Sequence, residues 1–120
     1  MKYLLMIYMN PTLFESLGED ERNALMAGHD AFEPSLRESG ELVGFAALAD
    51  PSQSSTVTVR GGRTAVTDGP YVEAKEFLAG YYVVDCETLE RAQELAAMIP
   101  DAGLTGIEVR PVMADSGLEM

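Results

Sequence analysis

Two short stretches of the chain are apolar at nearly every position. The first runs from Tyr3 to Met9 and stops at Asn10-Pro11, and the second runs from Phe77 to Cys86. Short apolar runs bounded by turn residues favour buried strands over helices. Because successive side chains of a strand point to opposite faces, these two strands need cover on both faces.

A long amphipathic helix is predicted from Glu19 to about Ser39, with Gly40 as its terminator. Ser16 and Glu19 have the spacing of a capping box that would open it. Pro34 lies inside the helix and removes one backbone donor, so we expect a bend or a break there. Apolar residues recur at helical spacing along one face: Leu25, Phe32 and Leu36.

Gly61-Gly62 has the composition of a two-residue hairpin turn whose central residues both adopt positive φ. It separates the predicted strands Ser55–Arg60 and Arg63–Val66. In this register Val59 faces Thr64 and Val57 faces Val66, which places the apolar pair on one side.

The remaining pattern completes an α+β order of strand, helix, three strands, strand, helix, strand. We predict a ferredoxin-like antiparallel sheet with two helices on one face and an added β-hairpin. Residues 1–113 form a single domain in this interpretation, and residues 114–120 form a polar tail. The other predicted elements are strands at Glu41–Leu48 and Gly106–Val112, and a helix at Thr88–Met98 stopped by Pro100.

Two helices in this topology cover only one face of the sheet. The same face of a second copy is an economical cover for the other side, so we predict a homodimer through the sheet face, forming a dimeric α/β barrel. The alternative is that the hairpin folds over its own sheet and closes it.

Charge and composition narrow the classes of partner. Twenty acids against eight bases give a formal net charge of −12, which disfavours nucleic-acid binding. No stretch has the roughly 20 apolar residues that a spanning helix needs, and the N-terminus lacks a signal-peptide pattern, so we expect a cytoplasmic protein without a membrane segment. Cys86 is the single cysteine, and without a Cys/His cluster we predict no metal site.

His29 is the only histidine, and it falls on the apolar stripe of the long helix. A structural histidine is one interpretation. The other is an acid or base whose tautomer is fixed by a carboxylate, and Asp68 is the preferred partner. Asp68 also has a simpler explanation, because aspartate commonly opens turns such as Asp68-Gly69-Pro70.

Two further residues are candidates for ligand binding. Lys75 is one of only two lysines in this acidic chain, so it could attract an anionic substrate or pair with Glu76 or Asp68. Tyr71 combines an apolar ring with a hydroxyl, which suits the wall of a pocket, while Tyr81 and Tyr82 favour core packing.

The stretch TDGPYVEAKEFLAGYYVVDCETLERAQELAAMIP, at Thr67 to Pro100, resembles the signature region of the DGPF group within the YCII-related family. The start MKYLLMIY and the end GIEVRPVM are similar to that family too. Tyr71 departs from the motif by occupying the phenylalanine position. The resemblance implies a dimeric ferredoxin-like barrel with a cavity between sheet and helices, in which a His-Asp pair, here His29 and Asp68, has been proposed as catalytic.

Two functional interpretations remain open. In the first, the chain is an enzyme in which His29, oriented by Asp68, moves a proton on a small-molecule ligand. In the second, it is a non-catalytic sensor or interaction module. The resemblance implies a link to extracytoplasmic-function sigma factors for the second interpretation. No cofactor and no substrate is indicated by the sequence.

Overall fold

A computed structural model describes residues 1–118, which form an α+β fold around a four-stranded antiparallel sheet of order β2-β5-β1-β6. This order is compatible with the predicted ferredoxin-like arrangement. The described strands are β1 (Lys2–Met9), β2 (Leu42–Ala47), β3 (Ser55–Arg60), β4 (Arg63–Asp68), β5 (Phe77–Asp85) and β6 (Ile107–Pro111). The described helices are α1 (Pro11–Glu15), α2 (Glu19–Ser39) and α3 (Leu89–Ala97), with 3₁₀ turns at Pro51–Gln53 and Pro100–Gly103.

The two apolar strands recognised in the sequence, β1 and β5, are the inner strands of the sheet. Leu5 of β1 and Tyr82 of β5 are directly paired, and both belong to the core beneath the helices. Phe32 and Leu36 contribute to this core from α2, and Leu95 contributes from α3. These strands therefore have the predicted helix-covered apolar face.

Helix α2 has the predicted bounds but a different N-terminal cap. Its first turn is closed by Glu21, whose side chain accepts a hydrogen bond from the Gly18 N–H at 3.3 Å. The predicted Ser16–Glu19 box is wrong, because Ser16 ends α1 and its hydroxyl donates to the Leu13 carbonyl. Helix α1 lies in the segment for which only a connection was predicted.

Pro34 does not break α2, which is continuous from Glu19 to Ser39. Phe32 and Leu36 are buried on either side of the proline. Packing of both halves against the core compensates for the lost backbone hydrogen bond. The helix ends at Gly40, whose φ of 80° is the left-handed conformation expected at a helix terminus.

Strands β3 and β4 form a hairpin of their own in the predicted register. Gly61 and Gly62 have φ values of 55° and 77°, as the turn requires. All six residues of β4 are exposed, so the hairpin projects as an arm and does not fold over the sheet of its own chain. Its outer side carries an exposed apolar stripe of Val57, Val59 and Val66.

The main sheet is open, with β2 and β6 as its edges, and residues 1–118 close no barrel. The predicted tail contains no helix or strand as far as Leu118, and Glu119 and Met120 lie outside the described residues. No helix within the described range is long and apolar enough to cross a membrane.

Candidate active site

Helix α2 carries His29 on its buried side, where about a quarter of the side chain remains exposed. Both ring nitrogens have partners. Nδ1 lies 3.0 Å from the Tyr82 hydroxyl oxygen, and Nε2 lies 2.5 Å from Asp101 Oδ1. The imidazole therefore connects a side chain of the sheet with one of the 3₁₀ turn that follows α3.

Asp101 is 2% exposed, and among residues 1–118 it is the one buried residue with a charged side chain. It follows Pro100 in the 3₁₀ turn, and its backbone carbonyl accepts hydrogen bonds from the amides of Leu104 and Thr105. These bonds fix the turn that aims its carboxylate at His29. A buried carboxylate is costly unless it is paired, so the contact with His29 also stabilises the position of Asp101.

Gly28 allows α2 to approach this turn. A Cβ atom at position 28 would lie 2.4 Å from Cγ of Pro100, a distance that real side chains do not tolerate. His29 follows Gly28 on the helix, and Asp101 follows Pro100 on the turn, so the contact lies directly beside both members of the site. The missing side chain of Gly28 thus brings the imidazole and the carboxylate together.

Tyr82 is 5% exposed and lies at the centre of an aromatic cluster. Its ring is perpendicular to that of Phe32 at a centroid distance of 5.0 Å and nearly parallel to the imidazole of His29 at 6.2 Å. Burial raises the pKa of the Tyr82 hydroxyl, and the negative charges of Asp101, Glu33 and Asp30 raise it further. Tyr82 therefore keeps its proton near neutral pH and can donate it in a hydrogen bond.

The network determines which nitrogen of His29 carries the proton. The Asp101 carboxylate can only accept, so Nε2 carries hydrogen and donates to it. Nδ1 of the neutral ring is then an acceptor, and the Tyr82 hydroxyl donates to it. The result is a continuous hydrogen-bonded chain from Tyr82 through His29 to Asp101.

This chain of groups stands at the polar end of a cavity of about 360 Å³ between the sheet and α2. Apart from His29, Tyr82 and Asp101, the walls are mainly apolar. Such a volume and lining are typical of small-molecule sites. The other wall residues include Met9, Phe14, Leu25, Met26, Phe45 and Ala79.

Comparison with known proteins identifies the family. The chain matches the profile of the YCII-related domain over residues 1–115. It belongs to the YCII-related family. It is also similar to an uncharacterised protein of Rhizobium meliloti, with 32% identity over 114 residues that cover 93% of this chain and 92% of that relative. The resemblance seen in the sequence is confirmed at the level of the YCII-related family.

This YCII-related protein does not bring Asp68 to His29 within one chain. Asp68 ends β4 opposite Ser55, and its side chain is exposed. The hairpin extends away from the sheet, so the carboxylate that reaches the imidazole is Asp101 and not the one in the Asp-Gly-Pro turn. The predicted His29–Asp68 pair is therefore not formed within one chain.

The two predicted ligand residues lie outside the His29 cavity of this YCII-related chain. Tyr71 is 80% exposed, and Lys75 is exposed in the irregular segment before β5. Their neighbours Val72, Glu73 and Glu76 border a second, larger hollow of about 620 Å³. The lining of that hollow contains no histidine, lysine or arginine, and its polar groups are carboxyl groups and the hydroxyls of Tyr8 and Ser52.

Sequence reasoning missed Asp101 and assigned Tyr82 to core packing alone. Asp101 follows a helix-terminating proline, a position where an acid has an ordinary role in a turn. Its residue number differs from that of His29 by 72, so no local spacing connects them. Among residues 1–118 of this YCII-related protein, no group of three or more His, Cys, Asp or Glu side chains is arranged to hold a metal ion.

Proposed function

We propose that this YCII-related protein is an enzyme that transfers a proton to or from a small molecule bound in the 360 Å³ cavity. The observation that supports it is that both nitrogens of the only histidine are engaged by buried side chains at the polar end of that cavity. His29 keeps the catalytic role predicted from the sequence, and Asp101 takes the role first given to Asp68.

In the proposed reaction, the Tyr82 oxygen accepts a proton from the ligand while the Tyr82 hydroxyl proton moves to Nδ1 of His29. The imidazole becomes a cation, and the carboxylate of Asp101 stabilises it through Nε2–H. The reverse transfer returns a proton to another atom of the ligand. No proton is gained or lost overall, so the chemistry is that of an isomerisation or an elimination.

The test uses cyclohexanone in D₂O, with NMR to follow exchange of the hydrogens next to the carbonyl. The wild-type protein should accelerate exchange beyond an equal concentration of free imidazole. His29→Asn and Tyr82→Phe should each lower the protein-dependent rate by about 10²-fold or more, because they remove a member of the proton chain.

Tyr71→Phe is the matched control for this experiment. It removes a hydroxyl from a tyrosine that is 80% exposed and lies outside the cavity lining, and should leave the rate unchanged. Exchange no faster than with imidazole, or equal rates in wild type and His29→Asn, would reject the proposed chemistry.

We also propose that the protein belongs to the DGPF group and that two copies pair through the sheet face away from the helices. Support comes from the apolar character of that face, on which Met6 and Val83 lie outside the helix-side core and are largely buried within the single chain. Leu4 and Tyr81 lie beside them and are partly exposed. An apolar face of this kind is typical of an interface, and its pairing would form the predicted dimeric barrel.

A second candidate function is an interaction module, such as one that binds an extracytoplasmic-function sigma factor. The exposed stripe of Val57, Val59 and Val66 on the hairpin arm favours it, because apolar side chains grouped on a projecting arm suit a protein partner. Under this candidate, Val57→Thr combined with Val66→Thr would abolish partner binding, whereas His29→Asn would not affect it.

A further inference from the structure

The charged side chains around the cavity are acidic. No lysine or arginine is among its lining residues, and Asp101 is the lining residue with a formal charge. Two more acids, Asp30 and Glu33, are close enough to influence the Tyr82 hydroxyl electrostatically. The cavity therefore has a negative potential without a compensating cation in its wall.

Arg22 contacts one wall residue from outside the cavity, and its guanidinium has partners there. Its guanidinium lies over the Phe14 ring, 5.1 Å from the centroid. Nη2 donates to the backbone carbonyls of Phe14 and Glu15 at the end of α1. Arg22 is not a lining residue, so it does not offer an anion a partner inside the cavity.

The lining offers one polar end and apolar walls. Met9, Met26, Phe14 and Phe45 provide polarisable, shape-adaptable contacts, while Tyr82 and His29 provide the hydrogen-bonding groups. A carboxylate or phosphate entering here would lose its hydration and meet acids in place of cations. A neutral molecule with a single hydroxyl loses little and can donate that hydroxyl to the Tyr82 oxygen, whose own proton is directed at His29.

We infer that the ligand of this cavity is a neutral, mainly apolar molecule of about one ring in size, with one oxygen that contacts Tyr82, and that the cavity rejects anions. The inference rests on the proposed function, because it assigns the ligand of the same site. Selectivity here comes from the absence of a cation, and the sequence-based role of Lys75 in attracting an anion does not apply to this cavity.

The experiment compares benzyl alcohol with benzoate, which share a ring and one substituent carbon but differ in charge. Binding is followed by NMR through the ring signals of His29, which need no further assignment because the chain has one histidine. Benzyl alcohol should bind with a Kd of the order of millimolar, and benzoate at least about tenfold more weakly.

A gain-of-binding variant makes the test sharper. Met26 lies at the cavity and is 62% exposed, so Met26→Lys can place a cation at the wall without burying it. Met26→Lys should raise the affinity for benzoate relative to that for benzyl alcohol at least about tenfold, because only the anion gains from the added cation. Asn23→Lys is the control, since it makes a similar change of net charge on an exposed position of α2 outside the lining.

The inference is overturned if benzoate binds as well as benzyl alcohol, if benzyl alcohol shows no saturable binding, or if Asn23→Lys improves benzoate binding as much as Met26→Lys. These outcomes are separate from those of the proton-transfer test. Selective binding of benzyl alcohol without any exchange of cyclohexanone keeps the inference and rejects the chemistry. Exchange of the cyclohexanone hydrogens without a preference for benzyl alcohol over benzoate keeps the chemistry and rejects the inference.

Discussion

Tyr82 serves the core and the candidate site with different parts of one side chain. Its ring packs against Phe32 beneath the helices, while its hydroxyl reaches Nδ1 of His29. Tyrosine suits such a position because an apolar body can be buried while the polar tip finds a partner. The same residue thus fixes the imidazole and connects it to the sheet.

Tyr82→Phe should separate these two contributions. The ring packing remains, and we expect the free energy of unfolding to fall by about 1 kcal/mol through loss of one buried hydrogen bond. Chemical denaturation measures this change, and NMR of the imidazole should report an altered Nδ1 environment. Tyr81→Phe is the control, and an equal loss in both variants would show that the His29 contact contributes nothing.

The sequence identified His29 because the helical stripe of Leu25, Phe32 and Leu36 contains it. It could not identify Asp101, whose meeting with His29 depends on how α2 packs against a turn far along the chain. The sequence favours Asp68 because this residue opens a recognisable motif. Local sequence indicates the turn there, but not which surface the turn contacts.

At the level of elements, the site depends on how closely α2 approaches the 3₁₀ turn at Pro100–Gly103. Gly28 and Pro100 meet at this crossing, where there is no room for a side chain on the helix. A glycine within a helix normally destabilises it relative to alanine, so its presence here has a packing reason.

Gly28→Ala should therefore destabilise the protein in spite of the better helix propensity of alanine. We expect a net loss of about 1 to 3 kcal/mol from overpacking against Pro100, together with a changed His29 environment as the helix and the turn move apart. Thermal unfolding and NMR measure the two effects. Gly103→Ala is the control, since an added Cβ there meets nothing within 4 Å; equal stability of both variants would contradict the packing argument.

A second link between elements joins the start of β2 to α3. Glu41 binds Arg91 through two hydrogen bonds of 2.8 and 2.9 Å. The hydrogen bonds with Arg91 are the main cause that lowers the pKa of the Glu41 carboxyl below its ordinary value of 4.5, with Ser39 contributing and desolvation opposing. A carboxyl with a lowered pKa in the folded state adds stability above its unfolded pKa, and loses it as the pH falls through the folded one.

Glu41→Gln should thus lower stability at neutral pH, by less than Tyr82→Phe does, because the Arg91 side chain is 40% exposed and solvent screens the ion pair. The difference from wild type should shrink toward zero as the pH falls below 4.5 through the folded pKa of Glu41. Urea denaturation at a series of pH values checks this. Glu87→Gln, which removes an exposed acid nearby, should show no such trend, and a difference that persists at low pH would contradict the assignment.

Elements with a strong pattern were predicted well, and weakly patterned ones were missed. The hairpin register followed from Gly61-Gly62 and from alternation along β3 and β4. Helix α1 and the turn at Pro100–Gly103 span five and four residues, too few for a hydrophobic period to appear. Both begin at a proline, and in a sequence a proline indicates the end of the preceding helix or strand more clearly than the start of a new element.

For the whole molecule, the main question is what covers the face of the sheet away from the helices. The apolar runs of β1 and β5 predicted this face, and alternation places Leu4 and Tyr81 on it. The sequence of one chain does not identify the partner that covers this face, because it specifies an apolar surface and not the molecule that packs on it.

Leu4→Glu should convert the proposed dimer into a monomer. A charge on this face would be desolvated on pairing, whereas in a single chain it remains partly hydrated. Sedimentation should give twice 13.0 kDa for wild type and 13.0 kDa for the variant. Val66→Glu on the arm is the control and should leave the dimer intact; dissociation by this variant alone would move the interface to the hairpin.

The two strands of the hairpin arm are held together at its base, where the Gly69 amide donates to the Ser54 carbonyl and the Thr56 hydroxyl donates to the Gly69 carbonyl. Its tip at Gly61-Gly62 is exposed and touches none of the core. An affinity peptide or a fluorescent label inserted between these glycines should therefore be tolerated. The arm is a ready attachment point for immobilising the protein while its cavity stays accessible to solutes.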